Sequence, residues 1–278
     1  MIEKLHIGTG TLVYDVTGEG PLVVLAHGMG DSRHSYRFLA PMLVDAGYRV
    51  ANLDIRGSGD SSLGWDDYSR TAMGGDLVAL IRQLGGPAVI IGQSISGGAA
   101  TVAAASAPDL VVGLIELAPF TRAQSVPLGA MLTVSRYRRG SMRLLRTMLL
   151  GSVSSWKKYL DLAVPAKPAD WDGELERIEA KLREPGRMKA LQAMTKTDPA
   201  DAGAKLASVA CPVLVIEGSL DPDWSDPRAE GEKIIADLPG GLGELVVLEG
   251  VGHYPHTQAP SEVLALAAPF LARTLDHA

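Results

Sequence analysis

The sequence predicts an α/β fold: a mostly parallel, doubly wound sheet with an antiparallel N-terminal hairpin and an inserted helical cap. Three observations carry this expectation. Short runs rich in Val, Ile and Leu recur along the chain without polar alternation, as strands buried on both faces do. Stretches of helical length and pattern separate several of them, and strand, helix, strand repetition builds a parallel sheet covered on both sides. One interval, from Phe120 to about Thr197, holds no strand-like run at all.

The opening "KLHIGTGTLVYDVTGEGP" alternates and carries turn glycines, so it is expected to form a hairpin at the sheet edge. Buried strands follow at "LVVLAHG" from Leu22, "RVANLDI" from Arg49, "AVIIGQS" from Ala88, "VVGLIELAP" from Val111, "PVLVIEG" from Pro212 and "ELVVLEG" from Glu244. Helices are expected over "RTAMGGDLVALIRQLGG" from Arg70 and "SGGAATVAAASAPD" from Ser96. An insertion this long, made only of helix-compatible segments, is expected to cap the carboxyl ends of the strands, where open parallel sheets bind ligands. The organisation predicted is a core of residues 1–119 and 198–278 with a cap of residues 120–197. Five of the nine methionines fall in that cap (Met131, Met142, Met148, Met188, Met194), as helix packing or as the lining of an apolar site.

Composition excludes several classes. The 278 residues, 46% hydrophobic and 21% charged, carry a net charge of −6, so no basic field exists to hold nucleic acid or anionic lipid. The N-terminal stretch is charged early and lacks a signal peptide's apolar region, and no run reaches the roughly 20 apolar residues of a membrane helix. A cytoplasmic protein with a small-molecule substrate is the expectation, its oligomeric state left open. Cys211 stands alone, which rules out an internal disulfide and a thiolate metal cluster, and is expected to be buried packing.

The chemistry centres on "VIIGQSISGG". Ser94 ends a strand and opens a helix, and the small residues around it (Gly92, Ser96, Gly97, Gly98, Ala99, Ala100) let neighbouring elements approach. A serine hydroxyl needs a base and a group that orients the base. His253 in "VGHYPH" and Asp221 in "SLDPDW" each follow a predicted strand, which brings them to the same rim as Ser94, in the order serine, acid, histidine. Asp223 and Asp226 compete for the role of acid, and His256 for that of base. The oxyanion formed on attack needs two donors, assigned to the backbone N–H groups of Met29, in "LAHGMGDS", and Ile95. Gly28, Met29, Gln93 and Tyr254, which flank these groups, are expected to meet substrate. His27 is expected to orient its loop, and His27 with His34 lacks the companions of a metal site. An ordinary histidine base gives an acid limb near 6.5, shifted by the buried acid.

These residues resemble the α/β-hydrolase family, in its serine-nucleophile branch with a helical cap, and the resemblance covers essentially the whole chain. "HGMG", "DIRGSGDS", "GQSISGG", "GSLDP" and "GVGHYP" stand in the family's order and approximate spacing. The resemblance implies Ser94 as nucleophile, Asp221 as acid, His253 as base, Met29 with Ile95 as oxyanion hole, "DIRGSGDS" from Asp54 as a structural loop, and no cofactor. Two residues depart from the pattern: Ser96 replaces the second glycine of the elbow, and Gln258 stands where many relatives carry Glu. A serine at position 94 argues against the dehalogenase and epoxide-hydrolase branches, whose nucleophile is an aspartate.

The activity expected is hydrolysis of a carboxylic ester, lactone or thioester. The alternatives are carbon–carbon bond hydrolysis of a diketone-like substrate and a slow-turnover ligand-binding regulator. The cap holds nine Arg and six Lys against seven acidic residues, a net +8, which leaves −14 on the remainder. Arg136, Arg139, Arg143 and Arg146 would align on one face of a continuous helix, although Gly140 and Ser141 could interrupt it. This stripe is either a solvated face or an attractor for an anionic substrate, a CoA phosphate or an acidic carrier protein.

Overall fold

The computed structural model describes residues 2–123 and 127–275. Eight strands, β1 (Ile2–Ile7), β2 (Gly10–Thr17), β3 (Leu22–Ala26), β4 (Arg49–Asp54), β5 (Ala88–Gln93), β6 (Val111–Leu117), β7 (Val213–Gly218) and β8 (Gly243–Leu248), form one sheet in the order β1-β2-β4-β3-β5-β6-β7-β8. β1 and β2 pair antiparallel, β2 joins β4 antiparallel, and every other pair is parallel. The unalternating runs are the inner strands: every residue of β3, β5 and β7 is buried. β8 departs from that expectation, since only Leu248 of it is buried; it is the last strand of the sheet and has a neighbour on one side only.

Helices α1 (Leu39–Asp45), α2 (Arg70–Leu84) and α3 (Ile95–Ser106) belong to the first half of the core. α2 starts at Ser69, whose side chain accepts from the Ala72 amide, and ends at Gly85 with φ 75°. α3 runs close to α2, because a Cβ on Gly74 would stand 2.9 Å from the Ala99 carbonyl oxygen. α4 (Leu128–Thr133), α5 (Ser135–Leu150), α6 (Val153–Ala163), α7 (Trp171–Arg183) and α8 (Arg187–Met194) lie between β6 and β7. The chain closes with α9 (Ala200–Gly203), α10 (Pro227–Asp237), α11 (Pro255–Gln258) and α12 (Pro260–Leu275).

The sheet separates two apolar clusters, one with Leu77, Ala103 and Ile234 of α2, α3 and α10, the other with Leu39, Leu43 and Phe270 of α1 and α12. The inserted helices have a third cluster around Trp156, Trp171, Ile178 and Leu191, into which Met29 and Tyr254 of the core reach. Trp156 closes that joint: a Cβ on Gly30, which has φ 70°, would lie 2.6 Å from its ring. No helix among the described residues is long and apolar enough to cross a membrane.

Candidate active site

Ser94 sits between β5 and α3 with φ 56° and ψ −121°, a conformation an L-residue adopts only when its surroundings enforce it. The enforcement comes from close approach on every side. A Cβ on Gly92 would stand 2.4 Å from the Ser96 carbonyl oxygen, one on Gly97 2.7 Å from Pro119, and one on Gly28 3.1 Å from the Ser94 Cβ. Ser96, the departure from glycine, donates its hydroxyl to the His27 carbonyl at 2.5 Å and so ties the elbow to the loop after β3. In that loop the amide of Met29 has no acceptor among the described residues, nor does that of Ile95 at the start of α3.

Asp221, fully buried, lies past the end of β7. Its Oδ2 is 2.7 Å from His253 Nδ1, and its Oδ1 accepts from the Asp223 amide at 2.8 Å. Asp226 is not part of this group; it caps α10 through the Ala229 amide. His256 is also set apart, stacked on Tyr36 with burial holding its pKa down to about 3. Between the three candidate acids, therefore, it is Asp221 that the fold brings to His253 Nδ1.

Asp223 enters the site in another way. Its Oδ2 accepts from the Tyr159 hydroxyl at 2.7 Å and stands 3.5 Å from His253 Nε2. Burial raises its pKa, the facing imidazolium lowers it, and Asp221 raises it again, to about 6. Burial disfavours the charged ring of His253, but Asp221 and Asp223 outweigh that and push its pKa up to about 9. Asp221, Asp223 and His253 are also the donors close enough to share a cation among the described residues, yet the aspartates are already bonded to His253 and Tyr159.

The inserted helices hold the site from above. Arg136 of α5 donates Nε to the Asp221 carbonyl at 2.7 Å and Nη2 to that of Trp224 at 3.0 Å. This corrects the expected arginine stripe. α5 runs unbroken through Gly140, whose missing side chain admits Pro222, but Arg136 turns inward and Arg143 bonds the Lys158 carbonyl, leaving Arg139 and Arg146 exposed. The His253 amide donates to Ala163 at the end of α6 at 2.8 Å. Gln258, the second departure, accepts from the Gly252 and Ala166 amides at 3.3 Å, so an amide side chain secures the histidine loop.

A cavity of about 560 Å³ is lined by Ser94, His253, Asp223, Met29 and Tyr254 together with apolar residues of the inserted helices. Met131, Met148 and Met194 line it, whereas Met142 is exposed and Met188 packs in the third cluster. Gly28 and Gln93, expected at the substrate, lie behind the wall: Gln93 is fully buried and donates to the His253 carbonyl at 3.0 Å. His27 is buried and neutral, its Nδ1 on the Gly28 carbonyl at 2.6 Å and its Nε2 accepting from Ile55 at 3.3 Å. His34 bonds Glu174 of α7 at 2.9 Å. Buried Asp54 braces the loop that follows it, accepting from the amides of Asp60 and Arg33 at 2.8 and 2.7 Å. The Cys211 thiol is pushed up by burial to about 12, which leaves it inert. Sequence reasoning named Asp223 only as a rival to Asp221 and Arg136 only as part of the arginine stripe, and did not single out Tyr159 or Arg70; the "DPDW" pair of acids was the one available signal.

An eight-stranded, mostly parallel sheet that presents a strained serine and an aspartate-bound histidine beneath an apolar cavity defines an enzyme of the hydrolase class. The chain belongs to the alpha/beta hydrolase family, whose profile its residues 23–267 match. A pimeloyl-[acyl-carrier protein] methyl ester esterase of Neisseria meningitidis is 31% identical over 259 residues, 92% of this chain and 78% of that protein. A 2-(acetamidomethylene)succinate hydrolase of Mesorhizobium japonicum is 26% identical over 96% of this chain and 94% of its own. The structure of a thermophilic esterase from Thermogutta terrifontis superposes with a TM-score of 0.74 at 24% identity, covering 99% of both chains, a likeness of fold.

Proposed function

We propose that the protein hydrolyses a carboxylic ester, lactone or thioester of a small to medium, largely apolar substrate through an acyl-enzyme on Ser94. In this reading residues 1–119 and 198–278 are the catalytic core and residues 120–197 its cap. The observation that carries it is the 2.7 Å Asp221–His253 bond beside a cavity that Ser94 and His253 both line. Ser94 Oγ attacks the carbonyl carbon as His253 Nε2 takes its proton, and the Met29 and Ile95 amides receive the oxyanion. The imidazolium, oriented by Asp221, returns the proton to the leaving alkoxide or thiolate. Water then attacks the acyl-enzyme by the same route and releases the acid. No step uses a metal or a cofactor.

The test combines covalent labelling with turnover. A fluorophosphonate is expected to attach at Ser94, and p-nitrophenyl esters of increasing chain length to be hydrolysed up to the length the cavity accepts. Labelling at another residue, or no turnover across the series, would overturn the ester reading.

The name of the Neisseria relative supports a finer part of the same reading, an acidic carrier or another anionic group approaching the exposed Arg139 and Arg146 of the cap. Charge reversal at both is expected to raise KM for a CoA thioester about tenfold at low salt, and less at high salt, while a neutral ester is spared. Equal effects on both substrates, or none at low salt, would make these arginines a solvated face. The reading also keeps the enzyme in the cytoplasm.

A further inference from the structure

The two buried arginines among the described residues are treated differently by the fold. Arg56, 6% exposed, holds Asp76 through Nε and Nη2 at 2.7 and 2.6 Å, a complete two-pronged ion pair. Arg70, only 2% exposed, has no carboxylate within 4.0 Å among the described residues. Its bonds are to neutral oxygens, Nε to the Phe120 carbonyl at 2.6 Å and Nη1 to the Thr197 hydroxyl at 3.2 Å. Two acids act on it from further away, and both are otherwise engaged: Asp201 accepts from the Thr71 amide at 2.9 Å and Asp198 from that of Ala200 at 2.9 Å. Nη2 makes no hydrogen bond among the described residues.

An unpaired buried cation is costly, and the cost is visible in the guanidinium, whose pKa burial lowers to about 10. Its two neutral bonds do not require a charge. Arg70 also lines the cavity that holds Ser94. It lies close to the elbow: its stem fills the space beside Gly98, where a Cβ would meet it at 2.7 Å, and Phe120, whose carbonyl it holds, donates its own amide to the Ser94 carbonyl at 3.0 Å.

We propose that Arg70 anchors a carboxylate of the substrate, so that the ester hydrolysed at Ser94 carries a free carboxylate elsewhere on its skeleton. The proposal rests on the hydrolase reading of Ser94 and names its substrate class. A guanidinium edge presents two parallel donors to a carboxylate, and Arg70 is the one arginine or lysine on a wall made mostly of methionine, leucine and aromatic side chains, with Asp198, Asp223 and a few serine and threonine hydroxyls among the described lining residues. A single cation, with exposed Asp198 on the same wall, suits a singly charged carboxylate better than a dianionic phosphate.

The experiment compares half-esters with diesters of one dicarboxylic acid, the monomethyl and dimethyl esters of succinate, glutarate and adipate. The native enzyme is expected to prefer the half-ester of the best-fitting length by tenfold or more in kcat/KM. Arg70→Gln is expected to raise KM at least tenfold for that half-ester and less than threefold for its diester, with kcat little changed, and Arg70→Lys to fall between. Loss of both activities together, or of neither, would reduce Arg70 to a tie between Phe120 and Thr197 and overturn the proposal. Calorimetry on Ser94→Ala separates the two readings, because binding needs no turnover. There the half-ester is expected to bind at least tenfold more tightly than the diester, even if neither is cleaved by the native enzyme. Equal binding overturns the carboxylate anchor and leaves the hydrolase reading standing. Should Arg70→Gln not fold, the native preference and Arg70→Lys decide.

Discussion

Ser94→Ala is expected to lower kcat by about 10⁴ to 10⁶-fold and to leave the protein folded. Alanine matches the space of the elbow, since Ser94 is 2% exposed and its strained φ of 56° is imposed by the backbone around Gly28 and Gly92. His253→Ala is expected to cost a similar factor, and Asp221→Asn about 10⁴-fold, because an amide at Nδ1 favours the wrong tautomer. Asp223 cannot take over from Asp221, because it faces the opposite ring nitrogen at 3.5 Å. Single-turnover assays with p-nitrophenyl acetate, with thermal melts to verify folding, check these values. Retention of more than a tenth of native turnover by Ser94→Ala rules out the acyl-enzyme.

Activity is expected to rise with pH until about 9, where His253 loses its proton. The base acts as the neutral ring, so well below that pKa the active fraction falls about tenfold per pH unit, and between pH 9 and 7 it falls roughly fiftyfold. This replaces the sequence expectation of a limb near 6.5. The cause is a second carboxylate: Asp221 faces Nδ1, Asp223 faces Nε2, Tyr159 and Tyr254 surround the ring, and the Arg136 guanidinium bonds the Asp221 backbone rather than the ring. Asp223→Asn is therefore expected to move the acid limb down by about one unit and to raise the rate at neutral pH. A pH–rate profile that stays at 9 in Asp223→Asn, or that is flat from pH 5 to 9 in the native enzyme, contradicts this account.

The parallel sheet, the two-sided helices and the helical insertion were legible because each is a periodic pattern along the chain. The inner strands are unalternating since both faces are covered, and β1, the outer strand of the hairpin, alternates since one of its faces is open. Ser94, Asp221 and His253 were legible for a related reason, each standing just past a strand end on a sheet whose strands run the same way. Of the residues expected to meet substrate, Met29 and Tyr254 line the cavity whereas Gln93 lies behind its wall, because a residue next to Ser94 can face either side of the strand.

What the one-dimensional pattern determined by itself, then, is the fold class, the order of Ser94, Asp221 and His253 along one rim of the sheet and the presence of a helical insertion, since local periodicity and turn chemistry are properties of neighbours in the chain. Which acid meets which nitrogen of His253 depends on the path of the "DPDW" turn and on Tyr159 arriving from α6, 64 residues away in sequence from Asp223. Arg136 and Arg139 lie one helical turn apart and read alike, yet packing half-buries the first, where it holds the Asp221 loop, and leaves the second in water. Arg70, in the first turn of α2, reads as an ordinary surface charge until α3 and the Phe120 turn close over it. Burial, pairing and the cost of an unmatched charge arise from contacts between distant segments, so only the folded chain decides them.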